Sequence, residues 1–188
     1  MSRLRVAGTA SVDVAELRRA HDLGEMPDTC AMATVDTALV QASVGNVFDL
    51  VRDVERWPAH LPHYRWVRFQ ERATDGGGVV EMSANRPFGA FRWPTWWRAE
   101  MQVVEGEQPA VRFRHIGGVT KGMDVEWRLT ARDGATHVSL VHVWNGPAWP
   151  VVGRLAATVV IGPVFVHGIA SRTVAGLARA AERAAGAR

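Results

Sequence analysis

The chain is poor in several residue types that would announce a function. It has one cysteine, Cys30, one tyrosine, Tyr64, and one lysine, Lys121. A lone cysteine excludes an internal disulfide and points to a reducing compartment, the cytoplasm. Lys and Arg total 22 against 19 Asp and Glu, for a net charge of +3, but the arginines are scattered along the chain. The clustered basic footprint of a nucleic-acid partner is therefore missing. The first residues lack the apolar core of a signal peptide, so secretion is not expected. No glycine-rich loop follows a strand and opens a helix, which removes the usual phosphate cradle. His60-Leu61-Pro62-His63 has no zinc-ligand spacing, and neither a metal nor a cofactor is expected. The apolar run 151–169 is broken by Arg154, Gly162-Pro163 and His167. A broken helix in lipid would leave backbone groups unpaired, so the run reads as a docked helix pair and not as a membrane span.

What is present is the material for one domain, since 188 residues suffice for a single substantial core. Residues 1–33 read as an arm of mixed charge with Gly and Pro, whose removal should cost little stability, and the domain runs over 34–188. Alternation over 34–42 predicts a strand. Ser43 then caps a helix whose apolar positions Val44, Val47, Phe48, Val51 and Val54 keep helical spacing up to Trp57-Pro58. Strands follow at 64–73 and 79–84, joined through Asp75-Gly76-Gly77-Gly78, where glycine supplies the positive φ of a tight turn. Four more are expected at 96–104, 110–115, 123–131 and 136–144. In the penultimate one Met123, Val125, Trp127 and Leu129 alternate with Asp124, Glu126, Arg128 and Thr130, which predicts one buried and one wet face. The chain closes on a helix over 162–185, with Val166, Ile169, Ala170, Thr173, Leu177, Ala180, Ala181 and Ala184 on one stripe and Arg172, Arg179 and Arg183 on another. A strand, a helix, six strands and a long helix make an α+β domain with an antiparallel sheet.

Several of these residues carry a resemblance to a known family. Val47-Phe48-Asp49-Leu50-Val51, Asp53, Trp57-Pro58, Tyr64, Arg86-Pro87, Met123, Trp127, Gly134, Thr136, Val138 and the late trio Ala170, Arg172 and Thr173 resemble the polyketide cyclase/dehydrase group of the START-like (SRPBCC, Bet v 1-like) helix-grip superfamily. The resemblance implies a curved seven-stranded antiparallel sheet wrapped around the C-terminal helix, with an apolar cavity between them. Composition agrees independently: all eight tryptophans fall between Trp57 and Trp149, and indoles offer large flat faces to hydrophobic ligands. The expected ligand-binding residues are Trp57, Trp66, Trp97, Trp127, Trp144 and Phe165.

For catalysis the resemblance implies Arg86 as a pocket arginine and Tyr64 as a pocket hydroxyl. A guanidinium stays charged and can hold an enolate or carbonyl oxygen through paired hydrogen bonds. The seventh strand departs from the family pattern: where cyclases carry Trp-Val-Gln, this chain has Leu140-Val141-His142. His142 shares a face with Val138, Leu140 and Trp144 and is a candidate acid or base near neutral pH. The segment 149–161 is also lengthened, as a lid or a peripheral membrane contact. Three functions fit: a cyclase/dehydrase of the aromatase type, a non-catalytic carrier of lipid or polyprenyl quinone, and a small-molecule sensor. The partner in each is a hydrophobic small molecule, with no nucleic acid; no feature assigns an oligomeric state.

Overall fold

The computed structural model describes Leu23, Cys30 and residues 32–88, 91–146 and 166–186, with the backbone alone at 86–88, 91, 92 and 167. Seven strands, β1 (Met32–Val40), β2 (Tyr64–Arg72), β3 (Gly78–Phe88), β4 (Phe91–Val104), β5 (Ala110–Gly118), β6 (Asp124–Arg132) and β7 (Ala135–Trp144), form one sheet in the order β1-β7-β6-β5-β4-β3-β2. Every neighbouring pair is antiparallel. The consecutive strands β2 to β7 pair as hairpins, and β1 adds to β7 at the far edge. The chain therefore has to travel from one edge of the sheet to the other between β1 and β2, and it does so through helical turns.

That link consists of α1 (Val44–Arg52), a 3-10 turn (Val54–Arg56) and α2 (Trp57–His60). Ser43 caps α1 by accepting from the Asn46 amide at 3.3 Å, which satisfies one of the helix's orphan donors. The buried residues Val47, Phe48 and Val51 hold α1 against the sheet, and Val54 and Trp57 continue the same buried row. The closing helix α3 (His167–Gly186) packs on α1 and β1. Its buried set includes Ile169, Ala170, Thr173, Val174, Leu177, Ala180 and Ala181, while Arg172, Arg179 and Arg183 are exposed. Gly176 lets α3 approach the link: a Cβ there would stand 2.3 Å from Cδ2 of the buried Leu61. Ala184, expected on the apolar stripe, is exposed near the helix end. Among the described residues no helix is long and apolar enough to cross a membrane.

Two further expectations change. The outer side of β6 is not wet, because Asp124 and Glu126 are buried. Glu126 lies between Arg112 (2.9 Å) and Arg128 (2.6 Å), and Asp124 accepts from Arg114 at 3.0 Å. Alternation shows which side of a strand a residue faces, whereas cross-strand pairing decides whether a charge there can be covered. The two described residues ahead of β1 also meet that side. Arg114 donates to the Leu23 carbonyl, Cys30 packs against Val141 and Val143, and β1 starts at Met32, two residues inside the expected arm.

The β4–β5 contact depends on one glycine. Gly118 has φ +86°, and a Cβ there would meet the Trp96 carbonyl oxygen at 2.4 Å and Trp97 Cα at 2.9 Å. Both neighbours are backbone atoms that cannot step aside. Gly118→Ala should therefore lose roughly 2–4 kcal/mol, a fall in Tm on the order of 5–15 °C for a domain of this size. Thermal unfolding followed by circular dichroism checks this, and an unchanged Tm would mean the strands separate there without cost.

Candidate functional site

A cavity lies between the inner face of the sheet and α3. Its aromatic wall is assembled around Trp57, whose indole N–H donates to the Leu50 carbonyl at 3.0 Å. That bond fixes the ring so that it meets Tyr64 edge-on at 5.3 Å, Trp127 at 5.9 Å and Phe113 at 6.3 Å between centroids. The row continues from Tyr64 to Trp97 (6.0 Å) and from Trp97 to His115, whose ring stacks at 6.0 Å and 23°. Met82, Met123, Val125, Leu140, Val166, Ile169 and Ala170 fill the apolar remainder. The enclosed cavity is small, about 60 Å³. The rings that line this slot between sheet and helix offer flat faces to an apolar ligand.

Polar groups are set into this wall at three places. His115 Nδ1 is 2.7 Å from Thr120 Oγ1. His142 Nδ1 is 3.5 Å from Thr34 Oγ1, the outer limit of a hydrogen bond. The Thr173 hydroxyl donates to the Ile169 carbonyl at 2.9 Å and so accepts from Nε2–H of His63 at 3.0 Å. Burial, followed by the nearby Arg172 charge, pushes His63 down to about 4, so its ring is neutral at pH 7. No carboxylate is among the described lining residues; Asp36, opposite Leu140 on β1, is buried on the same face but stands off the wall.

Of the residues expected from sequence, Trp57, Tyr64, Trp97, Trp127 and His142 come together on the cavity wall. Trp66 does not. A β-bulge between Tyr64 and Trp66 shifts the pairing so that Tyr64 lies opposite Ala84 and Trp66 opposite Ser83. Trp66 is thereby turned to the outer face, where the Arg68 guanidinium sits 4.2 Å over its ring. Trp144 is buried at the end of β7 and donates to the Lys121 carbonyl at 3.0 Å, off the wall. Arg86 stands two residues beyond Ala84 on β3, its backbone paired with Trp93; its side chain lies outside the described residues, as do Phe165 and the segment 149–161. Sequence reasoning missed His115, Thr120 and Thr173. For His115 the signal was available, since it continues the inward alternation of Val111 and Phe113.

Residues 40–164 match the family described as polyketide cyclase / dehydrase and lipid transport. The chain is 27% identical over 103 residues to the granaticin polyketide synthase bifunctional cyclase/dehydratase of Streptomyces virginiae; the match covers 55% of this chain and 33% of that relative, about a third of its length. Among solved structures it is similar to the Zhui aromatase/cyclase of Streptomyces sp. R1128, with a TM-score of 0.67, 18% identity, and coverage of 82% of this chain and 95% of that one. A START superfamily protein from Mycobacterium smegmatis aligns with a TM-score of 0.56 and 16% identity over 82% of this chain and 97% of the other. The α+β helix-grip architecture is common to them.

Burial of the His63 ring, with the Arg172 charge nearby, gives stability a defined pH dependence. The ring's folded value of about 4 lies below the ordinary 6.5, so as pH falls the unfolded chain takes up the proton first. The contribution is whole above pH 6.5 and is lost progressively toward pH 4. His63→Gln, which keeps an N–H for Thr173 but does not titrate, should show a shallower fall in Tm across that window than the parent. Parallel slopes would remove His63 from the acid response.

Proposed function

The chain belongs to the polyketide cyclase/dehydrase and lipid transport family, and from that premise we propose that it binds a hydrophobic, carbonyl-bearing small molecule and closes a ring in it by aldol chemistry. The observation that carries this reading is the mixed character of the slot. Aromatic rings line it for a flat ligand, yet His115, Thr120, His142 and Thr173 interrupt that lining. Each of them has a partner within the protein, so it can be buried in the wall without a ligand and still reach a ligand's oxygen. A carrier of lipid or quinone has little use for them, whereas aldol closure needs groups that move protons and stabilise oxygen as it gains charge.

In this reading the indoles of Trp57, Trp97 and Trp127 hold the extended poly-β-ketone folded and dry. Tyr64 and His142 supply protons to oxygens, and Arg86 holds the developing oxyanion. Water exclusion strengthens each of these contacts, because charge is less screened in the slot than in bulk solvent. The single cysteine and the absence of a spanning helix among the described residues fit a protein working in a reducing cytoplasm on a soluble intermediate.

Arg86 separates catalysis from carriage. Arg86→Lys should keep binding of a polyketide mimic within about tenfold, ~1.4 kcal/mol, while losing most product formation, because an ammonium cannot reproduce the planar two-oxygen hold. Binding by titration and product by chromatography would be read on both variants. A lysine variant that turns over as fast as the parent removes Arg86 from the chemistry, and a parent that binds but never cyclises favours the carrier.

A further inference from the structure

Aldol closure requires a group that takes a proton from the carbon between two carbonyls, and none of the residues assigned so far does this. With no carboxylate among the described lining residues, the groups able to accept a proton near neutral pH are imidazoles. Among the described side chains two reach the wall, from strands on either side of β6. His142 on β7 lies opposite Val125, and the amide of His115 on β5 donates to the Met123 carbonyl at 2.9 Å. They are held to different degrees. His142 has the 3.5 Å contact with Thr34, whereas His115 Nδ1 is 2.7 Å from Thr120 Oγ1 and its ring is stacked on Trp97.

The turn between β5 and β6 explains how that tighter arrangement is made. The Lys121 amide donates to the Gly118 carbonyl at 3.2 Å, Gly122 to His115 at 2.7 Å and Met123 to Thr120 at 3.0 Å. Positive φ at Gly118 and Gly122 lets the chain fold back on itself. The result is that Val119 is 53% exposed and its neighbour Thr120 is 4% exposed. One residue points out and the next is driven back against His115. A turn of this kind pre-orients a side chain before any ligand arrives.

Resting on the cyclase reading above, we propose that His115 is the proton acceptor of the site and that Thr120 is the positioning residue that fixes its tautomer. Thr120 Oγ1 accepts from Nδ1–H, which leaves the lone pair at Nε2. Nε2 takes a proton from the methylene between two carbonyls, and the C–H electron pair becomes the enolate. The enolate carbon attacks a second carbonyl carbon, a C–C bond forms, and the carbonyl π pair moves to its oxygen. That oxygen takes the proton back from the imidazolium, so the step consumes nothing besides the substrate. Among the described residues the other titratable groups on the wall are Tyr64 from β2 and His142 from β7, with His63 behind Thr173.

The test uses the full chain, the N-acetylcysteamine thioester of a linear poly-β-ketone as substrate, and anthraquinone as a non-reacting ligand. His115→Gln should lower kcat about 100-fold or more while anthraquinone affinity stays within about threefold, ~0.7 kcal/mol. Thr120→Val should lower kcat about tenfold and move the acid limb of kcat/KM to lower pH, because the imidazolium loses its acceptor; Thr120→Ser should restore both. A His115→Gln variant as fast as the parent overturns the proposal, and so does a Thr120→Val profile that matches the parent's. If His115→Gln does not fold, the Thr120 pair decides by the same shift and rescue. A parent that binds anthraquinone and cyclises nothing defeats the cyclase reading and this proposal with it, whereas an active parent with an indifferent His115→Gln defeats this proposal alone.

Discussion

The bond from the Trp57 indole to the Leu50 carbonyl is the contact on which the rest of the site depends. Trp57 begins α2, in the link that carries the chain from β1 at one edge of the sheet to β2 at the other. Its ring touches Tyr64 from β2, Phe113 from β5 and Trp127 from β6. One side chain thereby joins the helical link to β2, which follows it in sequence, and to β5 and β6, which do not. A truncation there would leave a large void, and voids left by lost aromatic rings cost roughly 3–5 kcal/mol. The position of the aromatic wall is set by that anchoring.

The two faces of the sheet divide the chemistry. The ion pairs of Glu126, Asp124 and Glu81 with their arginines lie on the outer face, where they cover polar edges that the sheet would otherwise leave wet. The inner face carries histidines and threonines paired with one another. Neutral pairs of this kind can be buried without the large desolvation cost of ions, and they keep the capacity to exchange protons. A slot built in this way is dry enough to hold a flat apolar ligand and still able to act on a carbonyl.

Much of this architecture was legible in the sequence because two periods are strong in it. Alternation over Met123 to Thr130 and helical spacing over Ile169 to Ala181 located the wall and the helix facing it. The errors arose where a local irregularity broke a period. Trp66, expected among the ligand-binding residues, faces outward because a bulge between it and Tyr64 reverses the alternation. His115 continues the inward alternation of Val111 and Phe113, whereas nothing in composition says that the turn after Gly117-Gly118 drives Thr120 inward. Strand β3 runs to Phe88 and β4 starts at Phe91, beyond the expected ends, because Pro87 was taken as a loop residue although a β-hairpin end tolerates it.

The central claim is that the slot between Trp57, Trp97 and α3 receives a flat hydrophobic ligand. Anthraquinone titration by calorimetry, on the parent and on Ala170→Phe, tests it most directly, since Ala170 faces the slot from α3 and a phenyl ring there would occupy the ligand's place. Saturable binding by the parent that weakens at least tenfold, ~1.4 kcal/mol, in a folded Ala170→Phe is the expected result. Equal affinity in the two proteins, or no saturable binding by the parent, would contradict it.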